Sequence, residues 1–143
     1  MTTALTAEQE AQVRLAGDAT IYRDAMTFAN AQQAVIEDKQ FGHQASGLLE
    51  FSRDWDELER FIRHQKGRSW PQSKLHYGDF YAALGKYLQE LRRDVKDKYG
   101  FVENGLTNNE TREQTKFFAG LLAREFIQHL VAEMMWQKEV KGQ

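Results

Sequence analysis

Apolar side chains recur along this chain at steps of three and four, the spacing that gathers one face of an α-helix. Four stretches carry the pattern. In the first, from about Ala7 to Ile36, Leu15, Ala19, Tyr22, Met26, Ala29 and Ile36 follow one stripe, and Leu15, Tyr22, Ala29 and Ile36 stand seven apart as in a coiled-coil seam. Thr6 with Gln9 has the residue types of a capping box, and Gly17 is a place for the helix to bend. This stripe is thin and alanine-rich, which suits close packing on a neighbour or on another chain. The second stretch, about Ser46 to Lys66, turns Leu48, Phe51, Trp55, Leu58 and Ile62 inward, with Gly67 just past its end. The third, about Gly78 to Tyr99, buries Phe80, Leu84, Tyr87, Leu91 and Val95 with Tyr81 and Leu88 beside them, and stops at Gly100. The fourth opens on the capping box Thr107-Asn108-Asn109-Glu110 and continues to about Glu139. Its broad apolar face (Phe117, Phe118, Leu121, Leu122, Phe126, Leu130, Val131, Met134, Met135) suits the central helix of a bundle.

Strand signals are poor. β-Branched clusters are few, and the Asn104-Gly105 pair has no alternating runs on either side. Gly67, Ser69 and Pro71 break the pattern over residues 67–76, a connector. The pattern therefore predicts an all-α protein, a bundle of four main helices with room for one short additional helix around Asp38–Ala45, in a single domain over residues 1–143. A length of 143 residues with 41% hydrophobic and 28% charged content agrees with one globular unit that buries its own core.

Several chemistries find no support. With no cysteine there is no disulfide, thiolate metal site or cysteine nucleophile. The N-terminal MTTALTAEQEAQ is not a signal peptide, and no apolar run approaches a membrane span, so a cytoplasmic protein without a membrane partner is expected. Ser46, Ser52, Ser69 and Ser73 lack a Gly-x-Ser-x-Gly elbow, and no Gly-rich loop is present to cradle a phosphate. His43, His64, His76 and His129 form no His-x-x-x-His pair. Glu125, His129 and Glu133 stand in a row on one helix, where a metal can be held. Dinuclear carboxylate bundles, however, use Glu-x-x-His with partner carboxylates on other helices, and the chain contains no Glu-x-x-His. A polar network with Arg124 and Lys138 is the favoured reading of that row. No cofactor, no metal and no catalytic activity are expected. Met134-Met135 read as the core end of the fourth helix, with Trp136 half exposed as an edge for another subunit.

Charge changes the picture most. Arg60 to Lys98 holds ten Lys/Arg against four Asp/Glu, a net +6 in a chain of net −2, so the remainder carries −8. Such a basic middle points to a polyanionic partner. Arg60, Arg63, Lys66, Arg68 and Lys74 are placed to track phosphates, with Arg93 and Lys96 extending the surface. Trp70, His64 and His76 can stack on unpaired bases. Against this, Lys86–Glu90, Arg93–Asp97 and Asp94–Lys98 are spaced for helical ion pairs on a solvated face.

A small, cysteine-free, helical chain with a basic face resembles the small helical subunits of CRISPR effector ribonucleoproteins, type III most closely. The segments that carry this are Leu58-Glu59-Arg60-Phe61-Ile62-Arg63-His64-Gln65-Lys66-Gly67-Arg68, then Asp79-Phe80-Tyr81-Ala82-Ala83-Leu84, and the apolar final helix from Phe117 to Trp136. The resemblance, over about residues 46–136, implies a subunit without nuclease activity whose copies stack and hold a single-stranded target beside a guide through basic residues. The basic residues named above come from charge and helical geometry and not from the family, and the first helix is a departure from it. The expected function is thus a non-catalytic, nucleic-acid-binding structural subunit of a multi-subunit CRISPR ribonucleoprotein. It would bind single-stranded RNA or DNA and other protein subunits, with room for self-association. The alternative is a helical protein–protein adaptor or oligomerisation module that binds no nucleic acid. A third reading is a helical-bundle metalloenzyme using Glu125, His129 and Glu133.

Overall fold

A computed structural model of the chain describes residues 5–141. The expectations for the N-terminal leader and for a domain over the whole length fall in part on residues 1–4 and 142–143, outside that range. Regular structure among the described residues is helical, as the periodicity predicts. In order come α1 (Ala7–Ala16), a π-helical turn (Gly17–Ile21), α2 (Tyr22–Asn30), α3 (Gln33–Ile36), α4 (Phe41–Phe51) and α5 (Trp55–Lys66). A 3-10 turn (Gln72–Lys74), α6 (Leu75–Asp97) and α7 (Asn108–Lys141) complete the chain.

The axis of the bundle is α7, 34 residues long. It buries Phe118, Leu122, Phe126, Ile127, Leu130 and Met134 among others, and α2, α4, α5 and α6 all pack on it. Its start is set locally. Thr107 Oγ1 accepts from the Glu110 N–H at 3.2 Å while Glu110 Oε1 accepts from the Thr107 N–H at 3.1 Å. The Thr107 N–H also holds the Glu110 carboxyl below its ordinary range. On the other side, α6 runs back along α7: Tyr87 stacks on Phe126 at 4.1 Å, and Phe101, just beyond α6, stacks on Phe118 at 5.1 Å. The buried side chains form one continuous cluster.

Two elements differ from the periodicity reading. Along α1 and α2 the inward residues are Val13, Gly17, Ile21, Ala25 and Ala29, each four apart. Leu15 and Tyr22, half of the expected seam, are 70% and 46% exposed. The cause is the π-helical turn, which takes more residues per turn and shifts the inward face. Gly17 opens this turn where α7 comes close: a Cβ there would lie 3.2 Å from the Glu125 side chain.

The second expected helix is two helices. Ser52 Oγ donates to the Leu49 carbonyl at 2.8 Å as α4 ends, and Asp54 caps α5 by accepting from the Glu57 N–H at 3.1 Å. The short helix expected around Asp38–Ala45 is the first half of α4, preceded by the single turn α3.

Candidate nucleic-acid interface

Helices α5 and α6 lie side by side over a seam made by Ile62 and Gly85, where a Cβ on the glycine would sit 3.5 Å from Ile62 Cγ2. Trp55, Leu58 and Ile62 turn into the core, which leaves Glu59, Arg63 and Lys66 along the edge of α5. On α6, Lys86, Gln89, Arg93 and Lys96 recur at steps of three, four and three, a single helix face. Between the helices is a cleft of about 240 Å³. Trp55, Ile62, Ala82, Gly85 and Leu88 line it with apolar surface, and Glu59, Arg63, Lys66, Lys86 and Gln89 line it with polar ends. A more open depression follows, lined by Gln89, Arg92, Arg93, Lys96, Asp97 and Thr115. Gln89 belongs to both, so the two adjoin.

The cations of this strip are largely free. Arg63 pairs with Glu59 at 3.2 Å, but its side chain is 75% exposed, and such an exposed helical pair is worth only about 0.3–0.5 kcal/mol. Glu59 also accepts from Gln89 Nε2 at 2.9 Å. Among the described residues Lys66, Lys86, Arg92, Arg93 and Lys96 make no ion pair. The helical pairs Lys86–Glu90, Arg93–Asp97 and Asp94–Lys98 that the spacing allows are not formed there, and Lys98 instead lies over the Tyr99 ring at 5.5 Å.

The other expected contact residues are placed differently. Arg60 is exposed on α5 but lines neither depression. Trp70 is not an open stacking platform. Its Nε1 donates to the Gln65 carbonyl at 2.9 Å, the Arg68 guanidinium sits 4.3 Å over its ring, and Tyr77 packs on it at 5.2 Å. Arg68 further donates to Gln65 Oε1 at 3.1 Å. Lys74 is held at 2.7 Å by Asp38, whose side chain is 5% exposed in the α3–α4 connector. His76 Nε2 lies 3.0 Å from the same carboxylate oxygen, and the Gln40 N–H donates to the other at 2.8 Å. Burial pushes the Asp38 carboxyl up, but the Lys74 ammonium, the Gln40 amide and the Tyr77 and His76 side chains outweigh it and hold the group well below the carboxylate range. Burial, then the negative Asp38, raises the Tyr77 hydroxyl. Lys138 closes the junction by donating to the Asp38 and Ile36 carbonyls at 2.7 and 3.2 Å. Lys74 and His76 thus tie α6 to the connector.

The Glu125–His129–Glu133 row seats α2 on α7. His129 Nε2 is 3.7 Å from Glu125 Oε2 and its ring stands edge-on to Tyr22 at 5.2 Å. Glu133 accepts from Gln137 Nε2 at 3.1 Å, and the same amide donates to Asn30 at 2.8 Å. No group of three or more His, Asp or Glu side chains is arranged to hold a metal among the described residues. No helix there is long and apolar enough to cross a membrane.

Comparison with protein-family models, with curated proteins and with solved structures finds no match to this chain.

Of the eight expected contact residues, the structure brings Arg63, Lys66, Arg93 and Lys96 to one strip. It adds Lys86, Gln89 and Arg92. The repeat Lys86, Gln89, Arg93, Lys96 is visible in the sequence, and the apparent pairing of Lys86 with Glu90 hides its first member.

Proposed function

We propose that this protein is a non-catalytic helical subunit that holds a single-stranded nucleic acid along α5 and α6. The observation that carries the reading is the strip itself: cations from two helices line adjoining depressions, five of them without a carboxylate partner among the described residues. Phosphate contacts of this kind confer affinity without sequence preference. Membership of a larger ribonucleoprotein, of the type III CRISPR small-subunit kind, is supported by the resemblance of residues 46–136 described above, and native co-purification of RNA and partner subunits tests it.

Six cations line the strip (Arg63, Lys66, Lys86, Arg92, Arg93, Lys96). If each neutralises one phosphate, the slope of log K against log salt is about −4 for a single strand. Anisotropy titrations with labelled single-stranded RNA across a salt series measure it. A slope near zero, or no binding at low salt, removes the proposal.

A second reading, the protein–protein adaptor, is favoured by apolar side chains left outside the core. Leu15 and Tyr22 on the first two helices and Met135, Trp136 and Val140 on α7 are exposed, Trp136 by 59%. Absence of oligonucleotide binding in the same titrations, together with self-association, would select the adaptor.

A further inference from the structure

We infer that the cleft between α5 and α6 receives one unstacked nucleobase of the bound strand, an inference that rests on the strand-binding reading above. Its volume, about 240 Å³, lies below the roughly 300–1,000 Å³ of pockets that enclose a whole drug-sized ligand. It therefore suits a single ring projecting from a polymer whose remainder stays outside. Ala82 and Gly85 leave the α6 wall low, and Trp55, Ile62 and Leu88 offer apolar surface to the faces of a ring. Arg63, Lys66 and Lys86 stand at the polar edge, where the phosphates flanking an inserted base would lie, and the Arg63 guanidinium can also stack on the base.

Trp55 is the aromatic part of that wall. It lines the cleft and is buried, so its emission reports on an occupant. The cations at the rim favour a ring carried on a phosphate backbone over the apolar side chain of a neutral peptide, which brings no negative charge.

The test compares two labelled oligomers of equal length and charge on the full-length protein. One is an oligothymidylate; in the other every base is replaced by an abasic residue. The inference predicts that the abasic oligomer binds about tenfold more weakly with the same salt slope. Gly85→Leu, which fills the cleft, should bring the ratio of oligothymidylate to abasic binding to about one while helical circular dichroism is retained. Should that variant fail to fold, a Trp70→Phe/Trp136→Phe protein reports through Trp55, whose emission should shift with oligothymidylate and not with the abasic oligomer. Equal binding of the two oligomers overturns the inference while the proposed function stands. Preference for bases with an indifferent Gly85→Leu protein, or with silent Trp55 emission, also overturns it, because the base is then read elsewhere. Binding of neither oligomer, alongside Gly85-sensitive capture of an acidic leucine-bearing peptide, gives the cleft to a protein partner and overturns both readings.

Discussion

Asp38 joins three parts of the bundle through one residue: the connector it sits in, the start of α6 through Lys74 and His76, and the far end of α7 through the Lys138 contacts to its carbonyl. Removing its charge leaves Lys74 without a partner in a site only a quarter exposed, so Asp38→Asn should cost about 2 kcal/mol at pH 7, measured by denaturant or thermal unfolding. The folded carboxyl is held well below its unfolded value, so its contribution is present above about pH 3.9 and is lost as pH falls through that value toward the folded one. The gap between wild type and Asp38→Asn should therefore shrink in acid, below about pH 3.9. A gap that widens there would contradict this reading of the junction. None of this is legible from the sequence around Lys74, which has no acid nearby; its partner lies 36 positions away and meets it only in the fold. The same distance effect makes Trp70 look like an open ring when Tyr77 and Tyr81 cover it.

The helices themselves were legible wherever their signals are local. The capping boxes at Thr6/Gln9 and Thr107/Glu110 are formed as their residue types imply. The break at residues 52–54 was not, because Phe51 and Trp55 keep the apolar step of four across it and the stripe stays in phase. The π-helical turn at Gly17–Ile21 was equally hidden, since the steps of four it favours, from Val13 to Ala29, compete in the sequence with the ordinary helical stripe through Leu15, Ala19 and Tyr22. At the crossing of α4 and α5, Gly47 has no room for a methyl group: a Cβ would lie 2.9 Å from Phe61 Cζ. Alanine favours an isolated helix over glycine by about 1 kcal/mol, yet overpacking costs about 1–3 kcal/mol, and the Phe61 ring is fixed by Phe51 at 5.0 Å and Tyr81 at 5.9 Å. Gly47→Ala should thus destabilise the protein in urea unfolding, whereas Gly42→Ala, with no neighbour within 4 Å of its Cβ, should stabilise it slightly. The reverse order would mean that the two helices do not approach as described.

At the scale of the molecule, a chain of net −2 sets six of its 19 Lys and Arg along one strip. The apolar face of α5 and the seam at Gly85 bring Arg63 and Lys66 beside Lys86, and α6 carries the strip on to Arg93 and Lys96. The other four cations of the same charge count do not join it, because Arg68 and Lys74 are engaged internally, Arg60 lines neither depression and Lys98 rests on Tyr99. Charge reversal separates the strip from mere basicity. Lys86→Glu/Arg93→Glu and Arg60→Glu/Arg68→Glu change the net charge equally and differ only in place. Titrated with single-stranded RNA at low salt, the first should lose binding at least about tenfold and flatten the salt slope by about 1.4, while the second stays within about twofold of wild type. Equal loss in both variants, or loss only in the second, would contradict the α5–α6 strip as the nucleic-acid interface.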